Sequence, residues 1–194
     1  MYLQEGIWKR TGLFCKLIVL ATIVISWQTN FGRNAHLADY LYSWNLIKTG
    51  ELWRLVTPIF LHFRIFGSVW FHIVFNLAIW VMYAGAVEYY EGKKKIFIFT
   101  LLASVISNSA QFYFSGGNFG GLSGVNFALI GYLFVQGRRN LFYAPVMRKE
   151  SFYFFVIFMI FCWTGIFGAV ANWAHLAGLL FGMLFAAIFT IRLL

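Results

Sequence analysis

Charge is scarce in this sequence. Asp, Glu, Lys and Arg together make up 11% of 194 residues, against 61% hydrophobic side chains and a mean hydropathy of +0.76. Soluble domains carry only about 45–50% apolar residues. A soluble fold of this length has too few polar groups to cover so much apolar surface, whereas a bilayer solvates it. Cysteine is scarce too. Cys15 and Cys162 both fall inside apolar runs, so they are small core residues, and neither a disulfide framework nor a cysteine metal site is implied. No H-E-x-x-H pattern, internal repeat or low-complexity tract is present. Those gaps argue against a zinc peptidase and against the repeat-built transporters.

The basic residues outnumber the acidic ones, 15 to 6, for a net charge of +9. They lie in short clusters between apolar runs, the pattern that sets membrane topology, so no nucleic-acid partner is expected. Six apolar segments stand out, near residues 13–27, 69–87, 96–113, 122–135, 152–167 and 171–191. The first follows Lys9 and Arg10 as a signal sequence would, but Gln28, Thr29 and Asn30 offer no small-residue cleavage site. It is an uncleaved anchor. With six spans and both termini on one side, that side holds Lys9, Arg10, Lys16, Lys93, Lys94, Lys95, Arg138, Arg139, Arg148, Lys149 and Arg192. The other side holds Arg33, Lys48, Arg54 and Arg64. The positive-inside rule then puts both termini in the cytoplasm.

The stretch 28–68 is long for a bundle connection, where about 2–8 residues is usual. It is rich in apolar side chains, among them Tyr40, Tyr42, Trp44, Ile47, Trp53 and Val56, with Gly50 and Pro58 as punctuation. The composition predicts short amphipathic helices lying in the outer leaflet.

Nucleophilic and ionisable groups inside a membrane are costly and therefore candidates for chemistry. Ser123 sits in Gly120-Gly121-Leu122-Ser123-Gly124, just before an apolar helix. A glycine-serine turn alone is weak evidence, because membrane helices use both residues for packing. Length adds to it. From Ser123 to Gln136 is 14 residues, or about 20 Å of helix, against a hydrocarbon core of about 30 Å. If the inner end reaches the surface near Arg138, the glycine loop dips into the membrane, which is tolerated only inside protein or beside a wet cavity. His175, one turn into the last span, and His72 and Asn76, one turn apart on the second, fall at the same depth. Serine needs a base, and imidazole suits that role near neutral pH. His72, Asn76 and the Ser123 backbone N–H are candidate oxyanion donors. None of the six acids, Glu5, Asp39, Glu51, Glu88, Glu91 and Glu150, can be placed beside His175. A Ser–His dyad is therefore expected. A haem or metal bundle built on His62, His72 and His175 leaves the Gly-Ser turn unexplained. His175, Gly178 and Gly182 share one helix face, and Gly124, Ala128 and Gly131 share another. Small faces let membrane helices approach closely, so the two are predicted to meet, with Leu179 on a different face.

These residues carry a resemblance that covers nearly the whole chain. Glu51-Leu52-Trp53-Arg54, His72-x-x-x-Asn76, Gly85-Ala86-Val87-Glu88, Gly121-Leu122-Ser123-Gly124 and Ala174-His175-x-x-Gly178-x-x-x-Gly182 occur in this order. In this the chain resembles the rhomboid intramembrane serine proteases, most closely their bacterial GlpG-type members. The resemblance implies an all-α membrane protein, a six-transmembrane-helix rhomboid-like bundle with a membrane-inserted first loop. It implies one rhomboid protease domain over residues 1–194; as a departure from the family, no room is expected for a separate N-terminal cytoplasmic domain. It implies a serine endopeptidase of the bacterial inner membrane, without cofactor or metal, that cleaves transmembrane protein substrates near their outer ends. Ser123 and His175 would be the dyad, with His72, Asn76 and the Ser123 N–H at the oxyanion. Trp53 and Arg54 would anchor the loop, Gly121, Gly124, Gly178 and Gly182 would be structural, and the segment before Asn172 would cap the site. Phe127 stands where a tyrosine often packs on the catalytic histidine, Trp173 where a small residue is usual, and the spacing from His62 to His72 is longer than usual. The alternative is a catalytically inactive rhomboid-like module that binds membrane proteins; the presence of both Ser123 and His175 argues against it.

A serine mechanism needs no metal, and no ligand set of metal-site spacing exists here. Cleavage of a transmembrane substrate should therefore persist in EDTA or 1,10-phenanthroline. Reversible loss with chelator and recovery with zinc is the contrary result.

Overall fold

The computed structural model describes residues 6–64 and 68–189, and the chain there is helical, with no strand among the described residues. The elements are α1 (Ile7–Arg10), α2 (Leu13–Gln28), α3 (Trp44–Lys48), α4 (Val69–Glu91), α5 (Lys93–Ser115), α6 (Ser123–Arg139), α7 (Lys149–Trp163) and α8 (Asn172–Ile188). The six apolar segments each form one of the longer helices. The expected end of the last at Ile191, and Arg192 beyond it, lie outside the described residues, as does Glu5. α4 and α5, at 23 residues each, are long and apolar enough to cross a membrane, since 23 residues span about 35 Å of helix against a core of about 30 Å. α2 and α8 are apolar but shorter.

Burial orders these helices. α6 is enclosed: every side chain from Gly124 to Leu133 is buried. It packs against α4, α5 and above all α8. The outer helices instead turn large apolar residues outward, including Leu13, Leu17 and Leu20 on α2, Phe154 and Ile157 on α7, and Leu184 on α8. A soluble monomer does not expose faces of that kind, and lipid covers them without penalty.

The α6–α8 contact is made by missing side chains. A Cβ on Gly178 would overlap the Gly124 carbonyl oxygen, and one on Gly182 would overlap that of Ala128. From the other side, a Cβ on Gly131 would overlap the Leu179 carbonyl oxygen. The two small faces read from the sequence meet here. Gly124 also faces Ser107 of α5 and Ala174 of α8. The sequence-based placement of Leu179 off this seam needs correction. Leu179 is 6% exposed, because α8 packs against α5 as well as α6, so its crowded side is wider than one stripe.

The described residues between α2 and α4 form α3 and three 3-10 turns, Ala35–Asp39, Leu52–Leu55 and Thr57–Phe60. Arg54 ties it together. Its side chain is buried, with Nε donating to Glu51 at 2.6 Å and Nη1 donating to the carbonyls of Ala38 at 2.6 Å and Leu41 at 2.9 Å. Asn108 of α5 donates to the Leu55 carbonyl at 2.9 Å, and Tyr42 stacks on Phe112 of α5. The loop is thus clamped to the bundle. Trp53 is 53% exposed on its surface.

At the opposite end of α4, Glu88 accepts from the backbone N–H of Phe14 at 3.0 Å and of Cys15 at 2.9 Å. A carboxylate there satisfies two orphan donors of α2 and complements the helix dipole.

Gly178→Leu should destabilise the bundle, because overpacking a tight seam costs about 1–3 kcal/mol or more. Leu180→Ala, at a side chain 56% exposed, should stay within about 0.5 kcal/mol of the wild type. Unfolding of both variants in detergent measures the difference. A wild-type midpoint for Gly178→Leu would contradict the seam.

Candidate active site

The site is assembled where α6 begins. Segment 116–122 is irregular and contains Gly121, whose φ is +129°. Only glycine adopts that backbone freely. A Cβ at Gly121 would also lie 2.9 Å from His72 Nε2 and 3.5 Å from Ser123 Oγ. The missing side chain is what lets the His72 ring stand beside Ser123. The Gly121 N–H is held by the Pro58 carbonyl at 3.0 Å, so the clamped loop fixes the turn. Ser123 is the first residue of α6, and its backbone N–H has no partner within the helix, as for the first residues of any helix.

Across the α6–α8 seam, His175 Nε2 lies 2.8 Å from Ser123 Oγ. The His175 ring stacks on Phe127 with centroids 4.6 Å apart. Its Nδ1 is buried and has no hydrogen-bond partner among the described residues. Packing, and no acid, therefore orients this imidazole. For Nε2 to accept the serine proton, Nδ1 must carry the ring hydrogen.

His72 is bracketed by the backbone of Phe63. The Phe63 N–H donates to Nδ1 at 3.3 Å, and the Phe63 carbonyl lies 3.2 Å from the same atom. The two contacts call for opposite tautomers: acceptance from the Phe63 N–H goes with hydrogen on Nε2, the atom that faces Gly121, and donation to the Phe63 carbonyl goes with hydrogen on Nδ1. Asn76 Nδ2 donates to the His72 carbonyl at 3.0 Å, which leaves its second hydrogen free. Ser123, His175, His72 and Asn76 all line one cavity of about 610 Å³. Residues 166–171, just before α8, line its rim, where the cap is expected. Trp173 does not enter the cavity; it stacks on Phe114 and meets Trp163 edge-on.

Two supporting residues escape the sequence reading. Asn126 of α6 donates to Asn76 Oδ1 at 2.9 Å and to its carbonyl at 3.0 Å, which fixes the amide. Gln111 of α5 accepts from the backbone N–H of Trp173 at 3.0 Å and of Ala174 at 3.2 Å, capping α8 one turn from His175. Both are buried amides within apolar helices, and that was the available signal. His62 is also buried, its ring 4.7 Å from that of His72. Among the described residues no three His, Cys, Asp or Glu side chains gather into a metal-binding group.

Comparison with known proteins follows the same residues. Residues 49–192 match the family described as the Rhomboid domain. Among similar proteins is the Rhomboid protease GlpG of Salmonella paratyphi A, 32% identical over 186 residues, which is 95% of this chain and 66% of that protein. The Rhomboid protease GlpG of Salmonella newport is 34% identical over 181 residues, or 93% of this chain and 62% of that protein. The chain therefore spans about two-thirds of the length of these curated relatives.

Gly121→Ala introduces both a strained φ and a methyl group against His72. A shift of about 1 Å at such a site can cost ~100-fold in rate. Labelling of Ser123 by a fluorophosphonate should slow by that order in Gly121→Ala. An unchanged labelling rate would mean the turn tolerates a side chain.

Proposed function

Because the chain belongs to the rhomboid family, whose domain covers residues 49–192, we propose that it is an intramembrane serine endopeptidase. The observation that carries this reading is the 2.8 Å approach of His175 Nε2 to Ser123 Oγ beside a largely apolar cavity that His72 and Asn76 also line. Ser123 Oγ attacks the scissile carbonyl carbon while His175 Nε2 takes its proton. The oxyanion that forms is met by the Ser123 N–H, His72 Nε2–H and the free hydrogen of Asn76 Nδ2. His175 then delivers the proton to the leaving amine, and the peptide bond breaks to leave an acyl-serine. Water, activated by the same imidazole, hydrolyses the ester and restores Ser123. The dyad works without a carboxylate because the Phe127 stack and the helix seam hold the imidazole.

The substrates are transmembrane proteins, cut near their outer ends. The supporting arrangement is six spans with both termini cytoplasmic in a bacterial inner membrane, and residues 1–194 acting as one protease unit. The charge distribution and the apolar outer faces favour it. α6, at 17 residues, reaches only about 25 Å, so Ser123 lies below the outer surface, within reach of an unwound substrate segment. The described part of the 28–68 loop lies in the outer leaflet, where its exposed Trp44, Leu52 and Trp53 meet lipid. An inactive binding module of the same fold is disfavoured by the intact Ser123–His175 pair.

Mutations grade this mechanism. Ser123→Ala or His175→Ala should abolish cleavage of a transmembrane substrate, since the two act as a unit. Asn76→Ala should lower turnover less, because one oxyanion donor is worth ~3 kcal/mol and others remain. Expression-matched assays in detergent or proteoliposomes read both. Wild-type turnover in Ser123→Ala would sink the mechanism, and unchanged rates in both His72→Ala and Asn76→Ala would move the oxyanion elsewhere.

A further inference from the structure

The carboxylates of this protein are all engaged away from the cavity, as far as the described residues show. Glu88 holds the start of α2. Glu91 accepts from Tyr132, Tyr143 and Lys95. Glu51 pairs with Arg54, Asp39 with His36 and Glu150 with Arg148. None of the five lines the cavity. One cation does. Among the described residues Arg64 is the sole formally charged side chain in the cavity lining, where the others are apolar or neutral polar. Arg64 is exposed and makes no ion pair among the described residues.

Its place in the chain ties it to the chemistry. Arg64 directly follows Phe63, whose backbone brackets His72 Nδ1 at 3.3 and 3.2 Å. Arg64 therefore belongs to the segment that holds the proposed oxyanion donor, and it lines the same cavity. A cleft lined by one sign of charge with largely apolar walls raises the local concentration of opposite charge even when the cation is partly exposed. Arginine also offers a rigid fork of donors that matches a carboxylate in two-point contact.

We infer that Arg64 is a specificity-determining residue, and that the site selects substrates bearing an acidic side chain beside the scissile bond. This rests on the proposed protease activity. An acidic residue would find its only counter-charge in the cavity at Arg64, whereas a basic one would be repelled. The competing partner for such a cation is a lipid phosphate.

The test uses transmembrane substrates that differ only in carrying Asp, Asn or Lys on either side of the scissile bond. The same sequences, as peptides, are titrated against Ser123→Ala in detergent. Wild-type enzyme should favour Asp over Asn at one of the two positions by about threefold to fivefold, chiefly in KM, as expected for a partly exposed charge pair. Arg64→Gln should erase the preference and Arg64→Glu should transfer it to Lys. Arg33→Gln, a charge change elsewhere on the exposed loop, should leave it intact. No Asp preference at either position, or one that survives Arg64→Glu, overturns the inference. An equal loss for all three substrates, seen only in anionic vesicles, also overturns it and assigns Arg64 to lipid phosphate. If wild-type enzyme cleaves none of the substrates, the protease reading fails, while the peptide affinities of Ser123→Ala still decide the role of Arg64.

Discussion

Two helix backbones in contact govern the rest of this molecule. Where α8 crosses α6, the carbonyl oxygens of Gly124 and Ala128 occupy the space that side chains on Gly178 and Gly182 would need. In water such a contact would be one among many buried surfaces. In lipid it matters more, because the tails are as apolar as leucine and close contact must supply the energy of association. The distance between Ser123 Oγ and His175 Nε2 follows from that contact, since one atom hangs from each helix. So does the enclosure of α6, every residue of which from Gly124 to Leu133 is buried.

A chain with so little charge also has to dispose of each charge it keeps. Glu91 is a case in point, with its side chain 2% exposed. Tyr132 and Tyr143 donate to one oxygen at 2.5 Å each, and Lys95 binds the other. Burial, with the negative charge of Glu91 beside it, raises the Tyr143 phenol far above its ordinary range, so it remains a donor. That cluster joins α4, α5, α6 and the 140–148 turn at the end remote from Ser123. Arg54 does the same work for the long loop with backbone carbonyls and Glu51. A buried charge stripped of its partners would be strongly destabilising, so both clusters act as rigid joints. Arg64 stands apart from this pattern, which is what directs attention to it.

Much of this was legible beforehand for a simple reason. Polar groups are rare in an apolar helix, so Ser123, His175, His72 and Asn76 stand out against their surroundings without any knowledge of the fold. The small faces of α6 and α8 are legible because helical period alone brings Gly178 and Gly182 to one side. Asn126 and Gln111 obey the same rule and yet are not legible as site residues. Their function is to hold other residues, and a supporting hydrogen bond is visible only once both partners have coordinates. Leu179 shows the converse limit. Its angle on the helix is known from sequence, but whether that angle meets a neighbour depends on how many helices surround α8.

By itself, then, the sequence determined the helical class, the placement of the longer helices and which few polar side chains stand out within them. These are consequences of local periodicity, hydropathy and the cost of polar groups in lipid, and each acts within a single segment. Only the tertiary structure decided which atoms face one another: Nε2 of His175 toward Ser123, Nδ1 of His72 toward Phe63, the Asn76 amide toward Asn126, and Arg64 toward a cavity without a carboxylate. Those choices depend on the rotation and separation of helices distant in sequence. They are set by the sum of many van der Waals contacts along the seams, and no single segment contains that sum.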